Sequence, residues 1–226
     1  MKFIRQLILE ILLLLRQSPL RRPILKFLVW THNWAYHMIS LFASPTGVHP
    51  KHAIQQYHKF FVSNIKPANS VLDIGCGHGD VTHAVAKKAR EVTGIDISAK
   101  NIAIAKSHYN KNNLDFITGD ALNYKFTNQF DAIILSNVLE HIENRIDFLK
   151  KLAGLAPKIL IRVPLITRDW ISVYKKNEGF EYRLDDTHFI EYEEKTFADE
   201  IKQAGLVIES LKTEFGEFYA VVRHSK

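Results

Sequence analysis

Residues 71–79 read Val-Leu-Asp-Ile-Gly-Cys-Gly-His-Gly: four residues of strand character break into three alternating glycines, and a helical stretch opens at Asp80. Glycine has no Cβ, so a turn of this kind brings bare backbone N–H groups close to whatever lies above the strand end. The rhythm continues downstream. Strands are predicted at 70–74, 91–95, 114–118, 130–136 and 157–163, with helices at about 79–88, 99–110 and 143–154. Such alternation predicts an α/β fold, a mostly parallel sheet with helices on both faces. Upstream, one helix is expected from Pro50 to Ile65, ended by Lys66-Pro67. Past Pro164 the pattern lapses into a long polar connection, roughly 167–187, before a helix at about 193–204 that Gly205 stops. Leu206 to Leu211 and Glu217 to Val222, around Phe215-Gly216, read as an antiparallel hairpin.

The basic character of the chain is confined to its start. Net charge is +6, yet Lys2, Arg5, Arg16, Arg21, Arg22 and Lys26 stand against Glu10 alone before His49, a local +5. This segment is also apolar: read as a helix, Phe3, Ile4, Leu7, Ile8, Ile11, Leu12 and Leu15 share one face. Leu7 to Leu15 is too short to span a bilayer, and Arg-Gln-Ser-Pro-Leu-Arg-Arg follows where a signal-peptide cleavage site would stand. A second stretch, Ile24 to Phe42, is rich in aromatics but interrupted by Lys26, His32, Asn33 and His37. Two compatible readings remain for residues 1–49, a helical lid on the domain or an anchor at an anionic membrane surface through residues 1–22. Charges this few, set among leucines, make nucleic acid an improbable partner. The single cysteine, Cys76, lies in the glycine turn and allows no disulfide within the chain, which suits a reducing cytoplasm.

A dinucleotide site would need Gly or Ala at position 80 after Gly75 and Gly77; Asp80 stands there, and its carboxylate would repel a pyrophosphate. The pattern Asp73-x-Gly75-x-Gly77-x-Gly79 instead resembles the first motif of class I S-adenosylmethionine-dependent methyltransferases. Later segments continue the resemblance: Val92-Thr-Gly-Ile-Asp96 with Ile97, Gly119-Asp120-Ala121, and Asp131-Ala-Ile-Ile-Leu-Ser136-Asn137-Val-Leu-Glu140-His141. The Asn-Val-Leu-Glu-His portion is similar to the branch that includes ubiquinone-biosynthesis O-methyltransferases. The resemblance implies a Rossmann-like, seven-stranded sheet with an antiparallel last strand over 50–226, behind the helical extension. It implies S-adenosyl-L-methionine as cofactor, held by Asp73, Gly75, Cys76, Gly77, Asp96, Ile97, Asp120, Ala121 and Ser136. Asp96 would accept from the ribose hydroxyls, Ile97 would pack on adenine, and Tyr57 would reach the cofactor from the preceding helix.

Methyl transfer from a sulfonium is an in-line displacement, so the protein positions the acceptor and removes a proton where needed. His141 and His188 are the candidate bases, His141 slightly favoured because it follows the fourth strand. No metal site is assigned, although Glu140, His141 and His188 are possible ligands; Asn137 replaces the first Glu of the Glu-x-x-Glu-His run in metal-using relatives. The expected function is O-methylation of a small or lipid-linked metabolite, in the cytoplasm or at the inner membrane face. The alternatives are N-methylation of a small amine or modified base, and a non-catalytic partner subunit that only binds the cofactor.

Overall fold

A computed structural model describes residues 2–44 and 51–224. These fall into two compact units, one of residues 2–44, 51–54 and 174–182, the other of 55–173 and 183–224. The first unit holds α1 (Lys2–Arg16), α2 (Arg21–Phe42) and α3 (Lys51–Gln55) as far as Ile54, Gln55 belonging to the second. Neither α1 nor α2 is long and apolar enough to cross a membrane, and the same holds for every helix among the described residues. No residue of α2 is buried.

The second unit is built on a seven-stranded sheet of β1 (Ser70–Ile74), β2 (Glu91–Asp96), β3 (Leu114–Thr118), β4 (Ala132–Ser136), β5 (Lys158–Pro164), β6 (Leu206–Glu214) and β7 (Glu217–His224). The spatial order is β3-β2-β1-β4-β5-β7-β6. The first five strands are parallel, and β7 runs antiparallel to both β5 and β6. β1 and β5 are buried along their whole length, as a parallel sheet covered on both faces requires. Successive side chains alternate between two cores. Leu72, Ile74, Ile133 and Leu135 pack with Phe148, Leu149 and Leu152 of α7 (Arg145–Ala153) and Phe197 and Ile201 of α9 (Glu194–Gln203). Val71, Ala132, Ile134 and Leu160 face Phe61 of α4 (His58–Ser63) and Val81 and Val85 of α5 (Asp80–Ala86). On the outer flank α6 (Ala99–His108) sets Ile102 and Ala105 against Phe116 of β3 and Cys76. The Ser98 hydroxyl caps α6 by accepting from the Asn101 N–H at 3.3 Å.

Two expectations need correction. The single helix predicted to Ile65 is two, α3 and α4, separated at Gln56, whose φ is +46°; its predicted start at Pro50 lies outside the described residues. The polar connection also holds a helix, α8 (Trp170–Asn177). Asp169 Oδ1 accepts from the Ser172 N–H at 2.6 Å, an N-cap, and Gly179 with φ +72° lies just past the other end. An Asp before Trp-Ile-Ser and a glycine after Lys-Lys-Asn-Glu were the available signals; the polar composition hid them.

Candidate functional site

The parallel strands end on one edge, where open α/β sheets bind their ligands. At the end of β1 the Asp73 carboxylate is buried and accepts from the Thr82 hydroxyl at 2.7 Å. Burial pushes its pKa up to about 7; the Thr82 bond opposes that shift and the nearby Asp96 charge adds to it. The chain then turns through Gly77 at φ +55° and Gly79 at φ +85°, both left-handed. The two glycines have different tasks. A Cβ on Gly79 would lie 2.7 Å from Phe116 and 3.2 Å from Ala105, so this position serves helix packing; a Cβ on Gly77 would meet nothing within 4 Å. Gly77 thus faces open space beside the Asp96 carboxylate.

Asp96, at the end of β2, ties the turn down. Its Oδ2 accepts from the Gly77 N–H at 2.9 Å, and its Oδ1 from the Ser98 N–H at 2.8 Å and Asn101 Nδ2 at 3.3 Å. A carboxylate offers about four acceptor sites, so Oδ2 keeps capacity for a further donor. Ile97 beside it is 74% exposed, an apolar platform at the strand end. Both Asp120 oxygens close the following turn, Oδ1 on the Leu122 N–H at 2.9 Å and Oδ2 on Asn123 Nδ2 at 2.6 Å. The Ala121 carbonyl accepts from Lys151 Nζ at 3.0 Å. Cys76 is buried against Ile102 and Phe116, and burial pushes its thiol well above the ordinary range, so it is no nucleophile. Tyr57 is buried in the core with the Arg162 guanidinium 3.9 Å from its ring centre. Burial holds its hydroxyl up to about 12.

At the end of β4, Ser136 Oγ accepts from Arg162 Nη1 at 3.3 Å. Asn137 follows with φ +55° and a buried Oδ1 that has no hydrogen-bond partner. A short 3-10 turn, Leu139–His141, then delivers His141 to the same edge. The structure brings His141 and His188 together, rings edge to face with centres 4.6 Å apart, and Glu140 lies with them: one donor atom from each falls within 4.8 Å of the others. His141 Nδ1 is 2.9 Å from Thr187 Oγ1, which lies 2.7 Å from Asp185 Oδ1. Backbone and side-chain hydrogen bonds from Thr187 hold the Asp185 carboxyl below its usual range, so it is ionised and only accepts. The one Thr187 hydroxyl proton goes to Asp185, which makes His141 Nδ1 the donor; in the neutral ring the lone pair is then on Nε2. Burial, then the neighbouring His141, takes His188 down to about 4, so it is neutral near pH 7.

Residues 71–156 match the family model of a methyltransferase domain. The chain carries a class I S-adenosylmethionine-dependent methyltransferase domain. A ubiquinone biosynthesis O-methyltransferase of Bradyrhizobium diazoefficiens is 33% identical over 138 residues, 55% of this chain and 52% of that protein. A protein of the same description from Pelagibacter ubique is 29% identical over 165 residues, 56% of this chain and 69% of that one. The chain thus spans about half the length of most of the curated relatives it matches. Among solved structures, the magnesium protoporphyrin IX methyltransferase of Synechocystis with bound S-adenosylhomocysteine superposes with a TM-score of 0.61. It is 22% identical and covers 76% of this chain and 83% of its own.

The residues of the methyltransferase domain fit its cofactor: two buried acids at the strand ends, Asp73 and Asp96, suit a cationic ligand, and the space beside Gly77 allows close approach. Sequence reasoning missed Thr187 and Asp185 as partners of His141, and Arg162 altogether. For Arg162 a signal was present, since a charge inside Lys-Ile-Leu-Ile-Arg-Val-Pro marks a cation that the sheet must neutralise.

Proposed function

We propose that this chain transfers the methyl group of S-adenosylmethionine to a hydroxyl of a small or lipid-linked acceptor. Support comes from one observation above all: an imidazole with its Nε2 lone pair unengaged by the Asp185–Thr187 relay stands at the strand edge that carries the Gly77–Asp96 turn. The names of the relatives point the same way. Bound S-adenosylmethionine supplies an electrophilic methyl group on a positively charged sulfur. Asp96 orients the ribose from β2, Ile97 supports the adenine, and the buried Asp73, its pKa raised to about 7 by burial, lies under the cationic end, whose positive charge favours its ionised form. As the new O–CH3 bond forms and the S–CH3 bond breaks, His141 Nε2 takes the hydroxyl proton, and the ionised Asp185 acts through Thr187 to steady the imidazolium. His188 stays neutral and packs edge-on against the base.

A metal-assisted variant has its own support, the convergence of Glu140, His141 and His188, which offers one oxygen and two nitrogens. There a divalent ion would bind the acceptor oxygen and lower its pKa. For the helical unit we assign attachment to an anionic membrane face, supported by its +5 charge and by exposed Trp30, Trp34, Ile39 and Phe42. The test is mass spectrometry of metabolites and lipid extracts incubated with protein and labelled S-adenosylmethionine. An acceptor gaining one CH2 on oxygen supports the reading. Methylation on nitrogen selects the amine alternative, and binding without turnover on any extract selects a non-catalytic partner. Activity that a chelator abolishes selects the metal variant.

A further inference from the structure

Arg162 and Glu217 form an ion pair inside the sheet that the mechanism above leaves unused. Arg162 Nε donates to Glu217 Oε2 at 2.6 Å and Nη2 to Oε1 at 2.9 Å, with each side chain only 4% exposed. Desolvating two such charges costs several kcal/mol each, and well-packed apolar residues often serve stability as well or better. The pair is therefore poorly explained by stability alone. The rest of the guanidinium shows another use. Nη2 also donates to Gln55 Oε1 at 3.0 Å, Nη1 to Ser136 Oγ at 3.3 Å, and the Tyr57 ring stacks on the cation at 3.9 Å. Four of its five N–H donors are thus engaged, and Glu217 fixes the fork from the opposite side.

Two of these contacts grip one short segment on either side of its weak point. α3 ends at Gln55, α4 begins at His58, and Gln56 between them has φ +46°. A non-glycine residue in that region is strained and persists where its surroundings hold it. Arg162 supplies the hold, by hydrogen bond to residue 55 and by cation–π contact to residue 57. The segment lies where it matters. Arg162 is the register partner of Ser136, the last residue of β4, and Tyr57 sits in the field of Asp73 and Asp80, which bracket the glycine turn. With adenine toward β3 and ribose at Asp96 on β2, strand order carries the amino-acid end of the cofactor over β1 toward β4.

We propose that Arg162 is a positioning residue which holds Gln55–Tyr57 as a clasp over the amino-acid end of S-adenosylmethionine. This rests on the cofactor placement proposed above. The readout is the comparison of two ligands by calorimetry: S-adenosylhomocysteine, and methylthioadenosine, which keeps the adenosine and sulfur but lacks the amino-acid end. Arg162→Lys keeps the charge and loses the fork; we expect its affinity for S-adenosylhomocysteine to fall by about tenfold or more while methylthioadenosine changes by less than about twofold. Gln55→Ala and Tyr57→Leu, which leave the buried ion pair intact, are expected to show the same selective loss. These two carry the test if Arg162→Lys does not fold. Equal losses for both ligands, or unchanged affinity in folded variants, overturn the proposal and leave the cofactor placement standing. Failure of the wild-type protein to bind S-adenosylhomocysteine overturns both.

Discussion

The Gly77 N–H donates to Asp96 Oδ2 at 2.9 Å, so the turn after β1 and the acid that ends β2 form one rigid corner before any ligand arrives. The bond has two effects. It consumes a donor that a phosphate-binding glycine turn would have offered, and it holds a carboxylate that keeps acceptor capacity against the turn. A corner built this way is preorganised for hydroxyl donors rather than for anions.

Asp96→Ala removes that acceptor and releases the turn. Affinity for S-adenosylhomocysteine is expected to fall by about 2–4 kcal/mol in calorimetric titration. Asp96→Asn keeps one oxygen for Gly77 or Ser98 and is expected to lose less. An Asp96→Ala protein that folds and binds as tightly as wild type would remove Asp96 from the site.

Gly77 and Gly79, two of the three left-handed glycines of the turn, are expected to separate stability from binding. Gly79→Ala drives a methyl into Phe116 and Ala105 and is expected to cost about 2–4 kcal/mol of stability. Gly77→Ala meets no atom within 4 Å and carries only the left-handed strain of about 1–2 kcal/mol, yet it fills the space proposed for the cofactor. Its melting temperature should therefore fall less than that of Gly79→Ala, and its cofactor affinity more than its stability.

The sheet was legible because strand and helix periods differ and the strands are short, apolar and bounded by turns. The glycine turn and Asp96 were legible because their spacing in the chain is local to one strand–helix–strand unit. What escaped was held by long-range partners. Gln56 breaks a helix because Arg162, over a hundred positions away, grips both of its neighbours. Thr187 looks like an ordinary loop residue until the chain returns it to His141. Tyr57 carries the apolar signature of a core residue and is one, so its part in the site depends on Arg162 rather than on its own reach.

Asp73 is expected to leave a pH signature on stability. Burial raises its folded-state pKa to about 7 from an unfolded value of 3.8. Between those values the native state keeps a proton that the unfolded chain has lost, so stability from this group is full below about pH 4 and declines as pH rises to about 7. The ceiling is on the order of 4 kcal/mol. Denaturant midpoints of wild type minus Asp73→Asn should fall across that window and level off above it. A flat difference would mean that Asp73 is ionised throughout, already stabilised by Thr82.

His141→Ala is expected to lower turnover by about 10²–10⁴-fold with cofactor affinity unchanged, once an acceptor is in hand. Thr187→Val removes the relay to Asp185 without touching the ring; a loss of about tenfold is expected, because the tautomer is no longer enforced. His188, neutral near pH 7, should tolerate Gln better than Ala. Full activity in His141→Ala would leave positioning alone as the protein's contribution to the chemistry.

The helical unit gives a prediction independent of catalysis. Trp30 is 60% and Phe42 80% exposed, and exposed aromatic and aliphatic residues recur along α2 in a segment that carries six cations and one acid. An apolar helix face beside clustered cations binds anionic lipid by two attractions, of which only the electrostatic one is screened by salt. The intact protein should therefore sediment with vesicles containing phosphatidylserine or phosphatidylglycerol and be partly released by high salt. Arg16→Glu and Lys26→Glu, both exposed, should each weaken attachment by at least about fivefold, since one basic residue near such a surface contributes about 1 kcal/mol. Trp30→Ser with Trp34→Ser should weaken it in a salt-insensitive way. Cofactor binding should be unchanged in all three variants, because none of these four residues lies in the sheet unit. A protein that ignores anionic vesicles at low salt would assign the helices to another role, such as packing against a second copy of the chain.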